Sequence, residues 1–171
     1  MSTHPDLQAD ERTTLEQFLD QQREIVLEKV DGLTDEQVHA RILPATDLTM
    51  ATIVKHLAQV EDRWVQGRLV GGGMPEPWAS APFDTDPEWD FHSAGENSLD
   101  ELRALYLAAC ERSRSALAGF DSLDTPAVVP SFGKGPVCVR WVFVHLIEET
   151  ARHLGHLDLL LDATLAAAPP R

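Results

Sequence analysis

The sequence predicts an all-α protein that folds as a four-helix bundle. Four segments repeat apolar side chains at spacings of three, four and seven residues, and no segment shows a strong strand pattern. The length agrees with this fold, because 171 residues fit one ordinary globular domain. We therefore expect a single domain over residues 8–165 and a C-terminal tail over residues 166–171.

The first helix is expected over residues 10–30 and the second over residues 49–69. Between them, Thr34 is followed three residues later by Gln37. This spacing is typical of a capping box and predicts a short turn of helix. Three consecutive glycines at residues 71–73 end the second helix, because glycine is a poor helix former.

The segment over residues 71–91 contains four prolines, but also two tryptophans and two phenylalanines. This aromatic content is atypical of a disordered linker, so we expect an ordered loop that lies over the bundle. Ser98 then caps a third helix that ends at Gly119, and a fourth helix is expected over residues 139–165. The long second connection favours a topology other than simple up-and-down.

The charge of the chain limits its partners. Aspartate and glutamate number 28 against 14 lysines and arginines, which gives a formal net charge of −14. This charge repels phosphate backbones and anionic membranes, so we expect neither nucleic acid nor a membrane as partner. No apolar run approaches the roughly 20 residues that span a bilayer, and the N-terminus lacks a signal-peptide pattern, so a cytoplasmic protein is expected. Cys110 and Cys138 have no CxxC spacing and are expected to be free thiols.

The fourth helix carries ionisable side chains on its apolar face. Helical projection places Glu149 and His153 on the apolar stripe, with His145 and His156 at its rim. On the second helix, His56 lies at the flank of the apolar stripe and faces inward. Two histidines and one glutamate from two helices make a three-ligand metal site with an open fourth position.

The same residues also have an ordinary structural interpretation. His56 fits a hydrogen-bonded core histidine. Glu149 and His153 fit an i,i+4 ion pair at a half-exposed position, worth about 0.3–0.5 kcal/mol. Periodicity alone leaves both interpretations open.

Two sequence segments, IVKHLAQVE and HLIEETARHLGHLDLL, contain the candidate ligands. These segments and their order along the chain resemble the DinB-like superfamily of bacterial four-helix metalloproteins, and within it the branch of the mycothiol-dependent maleylpyruvate isomerase. The similarity extends over residues 13–161. The resemblance implies that His56, Glu149 and His153 bind one divalent ion, with zinc as the first choice and nickel or iron as alternatives. Many members have histidine in place of Glu149, whereas the mycothiol-linked branch has glutamate.

The resemblance also implies a function. The expected activity is a metal-dependent S-transfer that uses a low-molecular-weight thiol, such as mycothiol, and a small electrophile. Metal coordination favours the thiolate, which is the nucleophilic form of a thiol. The resemblance identifies no catalytic residue apart from the metal ligands. Three arginines are candidates for binding an anionic substrate, and the two remaining histidines of the fourth helix are candidates for contacts behind the ligands or with substrate: Arg63, Arg140, Arg152, His145 and His156.

Two other functions stay open at this point. One is a non-catalytic metal-binding stress-response bundle with the same ligands. The other is a metal-dependent hydrolase or a non-haem iron enzyme, because two histidines and a carboxylate also describe those sites. The isomerase has an additional C-terminal domain and this sequence ends soon after its fourth helix, so the resemblance does not carry the isomerase reaction itself over to this chain. A homodimer is expected from the resemblance.

Overall fold

The structure, a computed structural model, describes residues 4–167. Within that range the chain forms six α-helices and no strand, so the all-α prediction is confirmed. A π-helix, Arg63–Val70, continues the third α-helix, and a 3-10 turn, Ser93–Glu96, follows the fourth. The α-helices are α1 (Glu11–Lys29), α2 (Asp35–Val38), α3 (Met50–Asp62), α4 (Trp89–His92), α5 (Leu99–Ala118) and α6 (Val139–Ala167).

The ends of the chain differ slightly from the prediction. Residues 166 and 167 of the expected tail belong to the last turn of α6, because both are alanines and alanine is the best helix former. The remainder of the expected tail, residues 168–171, lies outside the described residues. No helix within residues 4–167 has both the length and the apolar character needed to cross a bilayer.

The helices begin where side chains can satisfy free backbone N–H groups. The Thr34 side chain accepts from the Gln37 backbone and the Gln37 side chain accepts from the Thr34 backbone, which confirms the predicted capping box of α2. Ser98 and Glu101 form the same arrangement at the start of α5, as the sequence predicted for Ser98. Thr49 caps α3 in this way as well and so fixes the start of the helix that carries His56.

The second long helix changes its winding at Arg63. The sequence predicts regular helix over residues 49–69, whereas the structure is α-helical only to Asp62 and π-helical from Arg63 to Val70. A π-helix makes i→i+5 hydrogen bonds and is frequently found at functional sites. The helix ends at Gly71, whose φ of 73° and close approach to Val128, 2.6 Å from a Cβ built there, both require glycine.

The core lies around α3, which packs against α5 and α6, while α1 packs against α6. Apolar side chains of α3 and α6 meet in two clusters, one containing Leu57 and Leu157 and the other containing Val60 and Leu146. These contacts hold α3 and α6 side by side. The two helices that carry the predicted metal ligands are therefore neighbours.

The connection over residues 71–98 is attached to α3 by polar contacts. Trp78, only 2% exposed, donates its indole N–H to Asp62 Oδ2 at 2.9 Å. The Lys55 ammonium donates to Asn97 Oδ1 at 2.7 Å and lies over the Trp89 ring. This attachment places α4 over the part of α3 that carries His56.

Candidate metal centre

Three side chains from α3 and α6 meet at one point. The imidazole Nε2 of His56 lies 3.4 Å from Glu149 Oε1, and Nε2 of His153 lies 3.3 Å from the same oxygen. One donor atom from each residue lies within 4.8 Å of the other two. The structure thus brings together the three residues that the sequence selected, here called the triad.

The second nitrogen of His56 is held by Asp90 of α4, which the sequence did not select. His56 Nδ1 lies 2.7 Å from Asp90 Oδ2, and Asp90 is only 4% exposed. Because a carboxylate accepts and does not donate, the Nδ1–H of His56 donates to Asp90, and this contact turns the other ring nitrogen, Nε2, toward Glu149. The Phe91 ring packs on the imidazole with centroids 4.5 Å apart and further restricts its orientation.

Glu149 faces the histidines with one oxygen and Arg152 with the other. The Arg152 guanidinium donates to Glu149 Oε2, so this arginine orients a triad carboxylate from behind, and its contact with substrate stays a prediction. Burial acts to raise the pKa of Glu149, but hydrogen bonds from Arg152 and His56 outweigh it and hold that pKa below its usual value. The Glu149 carboxylate is therefore anionic at neutral pH.

His156 lies behind His153 on the same helix. The two Nδ1 atoms are 3.4 Å apart and the two rings meet edge to face. Burial, together with the nearby His56, lowers the pKa of His153 to about 4. His153 is therefore neutral at pH 7, which is the form that binds metals.

His145 lies one turn before Glu149 and is held among aromatic rings. It stacks on Trp141 at 4.9 Å and meets the edge of Trp64 at 4.5 Å. With Glu148 and Glu149 it forms a second group of possible metal donors. The Glu148 side chain is 58% exposed, however, and lies 3.7 Å from the His145 ring, so this second group lacks the enclosure of the triad.

The two other predicted substrate-binding arginines lie in different places. Arg140 lies nine residues before Glu149, about 14 Å along the axis of α6, and its guanidinium is paired with Glu11 and Asp124. The substrate contact predicted for Arg140 is therefore not retained. Arg63 is exposed and lies on the helix of His56.

The donor set of the triad fits a divalent ion such as zinc, nickel or ferrous iron. Two imidazole nitrogens and one carboxylate oxygen are ligands that these ions accept, and three protein ligands leave a position open. A metal-binding histidine usually donates its other N–H to a carboxylate, and His56 does this toward Asp90. Both the donor chemistry and the contact behind His56 agree with a metal centre.

Asp90 could not be found by periodicity, because it lies outside the long helices. A weaker signal was present: the DPEWDF stretch places an acidic residue between two aromatic ones. An aromatic neighbourhood predicts burial, and a buried carboxylate needs a partner. That signal points to a buried acid but not to His56 as its partner.

Residues 14–164 match the family model described as mycothiol-S-transferase. No curated protein matches the chain. The matched range includes all three triad residues as well as Asp90.

Proposed function

The chain belongs to the mycothiol-S-transferase family, within the DinB-like superfamily. We therefore propose that it joins a low-molecular-weight thiol, with mycothiol as the first candidate, through its sulfur to a small electrophile. His56, Glu149 and His153 hold one divalent ion, zinc in the first place, in a DinB-like four-helix bundle. The observation that supports this most is the convergence of three donor atoms within 4.8 Å, with the far nitrogen of His56 bound to Asp90.

The ion, when bound, favours the thiolate over the thiol and so provides a nucleophile near neutral pH. The protein side chains set the geometry: Asp90 keeps the proton on Nδ1 of His56, and Arg152 holds the far oxygen of Glu149. In the reaction a bond forms between the thiol sulfur and the electrophilic carbon. The leaving group departs with its electron pair, and the thiol proton passes to solvent.

The cysteines of the chain support an external thiol. Cys110 is buried, and burial with the nearby Glu61 carboxylate raises the pKa of its thiol to about 12. Cys138 lies eleven residues before Glu149, at the start of α6 and about 16 Å along its axis. Neither cysteine supplies a thiolate at the triad.

The experiment combines metal analysis with a thiol assay. Protein purified without added metal is analysed for bound ions, and thiol consumption with 1-chloro-2,4-dinitrobenzene is followed with mycothiol, with glutathione and without thiol. We expect about one divalent ion per chain and mycothiol-dependent formation of the thioether with release of chloride. His153→Ala should lose both the metal and the turnover, because a site with two ligands loses affinity and geometry.

Matched variants sharpen the assay. Glu149→Gln keeps the side-chain volume but removes the anionic ligand, so we expect a partial loss of metal and of turnover. His4→Ala removes an exposed histidine outside the triad and should change neither. Metal binding without thiol dependence would favour the non-catalytic bundle or the hydrolase, and full turnover by metal-free His153→Ala would overturn the mechanism. A cytoplasmic location and a homodimer stay predictions.

A further inference from the structure

Two arginines differ from all the others that the structure describes. Of the ten arginines within residues 4–167, eight form an ion pair with a carboxylate, and only Arg63 and Arg68 do not. In a chain with twice as many acidic as basic residues, carboxylate partners are abundant. Two cations that lack one are therefore unexpected, and both lie in the π-helix that follows α3.

Both arginines line the same groove, here called the arginine groove. It has a volume of about 450 Å³, and its walls include Gln59, Met74 and Phe83. Arg68 donates one N–H to the carbonyl of Pro130 at 3.0 Å and has no acidic partner in the described part of the chain. Arg63 is exposed and makes neither a hydrogen bond nor an ion pair within residues 4–167. The groove combines free positive charge with apolar walls.

The π-helix explains why the two guanidinium groups share a groove. In an α-helix, residues five apart point about 140° away from each other, since each residue turns the helix by about 100°. A π-helix makes i→i+5 hydrogen bonds, so residue i+5 lies almost above residue i. Arg63 and Arg68 are five residues apart and both lie within the π-helical segment.

The arginine groove lies beside the triad. Gln59 and Arg63 follow His56 by three and seven residues, so they project from the same side of the helix, about 5 and 10 Å farther along its axis. The positive charge of Arg63 also acts on His145, which lies one turn before Glu149 on α6. A small molecule bound in the groove would have the triad at one end.

We propose that the arginine groove binds the anionic group, a carboxylate or a phosphate, of the electrophilic substrate. The identification of the bound molecule as the substrate rests on the proposed function, whereas the binding of anions in the groove does not. Planar guanidinium groups bind carboxylates and phosphates through paired N–H donors. Met74 and Phe83 contact the apolar part of the molecule, and its reacting carbon points toward the triad.

The direct test measures binding without turnover. Benzoate, phenyl phosphate and the neutral benzamide are titrated into the full chain, with and without added zinc, and binding is followed by NMR. Arg63→Gln should raise the Kd of benzoate or phenyl phosphate by about tenfold or more, because hydrogen bonds to charged groups are the strong ones. The anion with the lower Kd identifies the carboxylate or the phosphate as the preferred group. Benzamide should bind weakly and equally to all variants.

The control removes one positive charge elsewhere. Arg103→Gln deletes an arginine that pairs with Asp31 at 3.1 Å and does not line the groove, so anion binding should stay within about twofold of the original protein. Arg63 is exposed, so its substitution leaves the fold intact, which circular dichroism verifies. Anion binding that is unchanged in both Arg63→Gln and Arg68→Gln would overturn the inference, and so would benzamide binding as tightly as benzoate.

A kinetic comparison separates this inference from the proposed function. With mycothiol, Arg63→Gln should raise KM for 4-chloro-3-nitrobenzoate and leave KM for the neutral 1-chloro-2,4-dinitrobenzene unchanged. If turnover fails in every variant while benzoate binding still depends on Arg63, the proposed function is wrong and the arginine groove stands. If turnover occurs but the two substrates respond alike to Arg63→Gln, the groove inference is wrong and the proposed function stands.

Discussion

His56 lies between two carboxylates, and the one behind it determines which nitrogen faces the triad. Asp90→Asn keeps the size of that side chain but replaces the carboxylate that holds Nδ1–H. We expect metal affinity to fall by about 10–100-fold, because contacts behind a metal-binding histidine fix its tautomer and raise its basicity. Competition with a chromophoric chelator measures the affinity.

A second histidine–aspartate pair in the chain provides the control. His92 Nδ1 lies 2.9 Å from Asp86 Oδ1, but this pair is exposed and lies outside the triad. Asp86→Asn should leave metal affinity unchanged. Equal affinities of Asp90→Asn and the original protein would show that Asp90 does not act through His56.

The two cysteines should differ in reactivity, because only the thiolate reacts with alkylating reagents. Burial and the Glu61 carboxylate raise the pKa of Cys110 to about 12, whereas Cys138 is half-buried. With iodoacetamide at pH 8 we expect Cys138 to be alkylated first and Cys110 only in denaturant. Peptide mass spectrometry measures both rates. Alkylation of Cys110 in the folded protein at the rate of Cys138 would contradict the burial argument.

Prediction from sequence works best for residues on long regular helices. Helical projection of the segment that forms α6 separates Glu149 from its neighbour Glu148, and in the structure their side chains are 10% and 58% exposed. A helix fixes the direction of every side chain along it, so the apolar stripe also gives the directions of His56 and His153. Asp90 lies in an irregular segment, and the path of such a segment depends on tertiary contacts that periodicity does not contain.

At the scale of elements, the four long helices and their caps follow from local rules, whereas the π-helix does not. The apolar pattern continues through RWVQGRLV as it would in an α-helix, so nothing local predicts the change at Arg63. The close approach of Gly71 to Val128 and the contact of Gly67 with Met74 are both tertiary. Met74 and Val128, which follow in the chain, pack on this segment, and their packing agrees with the wider turns of a π-helix. The arginine groove depends on this winding.

A buried ion pair joins α1 to α3. Arg23 donates from Nε and Nη2 to the two oxygens of Glu61, both at 2.7 Å, and both side chains are almost fully buried. Arg23→Met should lower the free energy of unfolding by about 3–5 kcal/mol, because it leaves the Glu61 charge buried without a counterion. Urea denaturation followed by circular dichroism measures the loss.

Two further variants test the reason for that loss. Arg23→Met combined with Glu61→Met removes both charges and should recover most of the stability, because apolar residues can replace a buried pair at little cost. Arg103→Met breaks the more exposed pair with Asp31 and should cost about 1 kcal/mol or less. A double variant as unstable as Arg23→Met would mean that the lost packing, and not the unpaired charge, determines the effect.

At the scale of the whole molecule, metal binding and folding should be linked through the triad. His56 belongs to α3, whereas Glu149 and His153 belong to α6, so an ion held by all three binds the folded chain and not the separated helices. Zinc at about 100 times its Kd should stabilise the protein by about 2.7 kcal/mol, which for this length raises Tm by about 5–10 °C. Differential scanning calorimetry with and without zinc measures the shift.

His153→Ala should lose the shift yet still unfold in one cooperative transition, because Leu146, Leu157 and Leu160 keep α6 packed in the core. A zinc-dependent shift of the same size in His153→Ala would place the ion elsewhere, and the group of His145, Glu148 and Glu149 would be the next site to test.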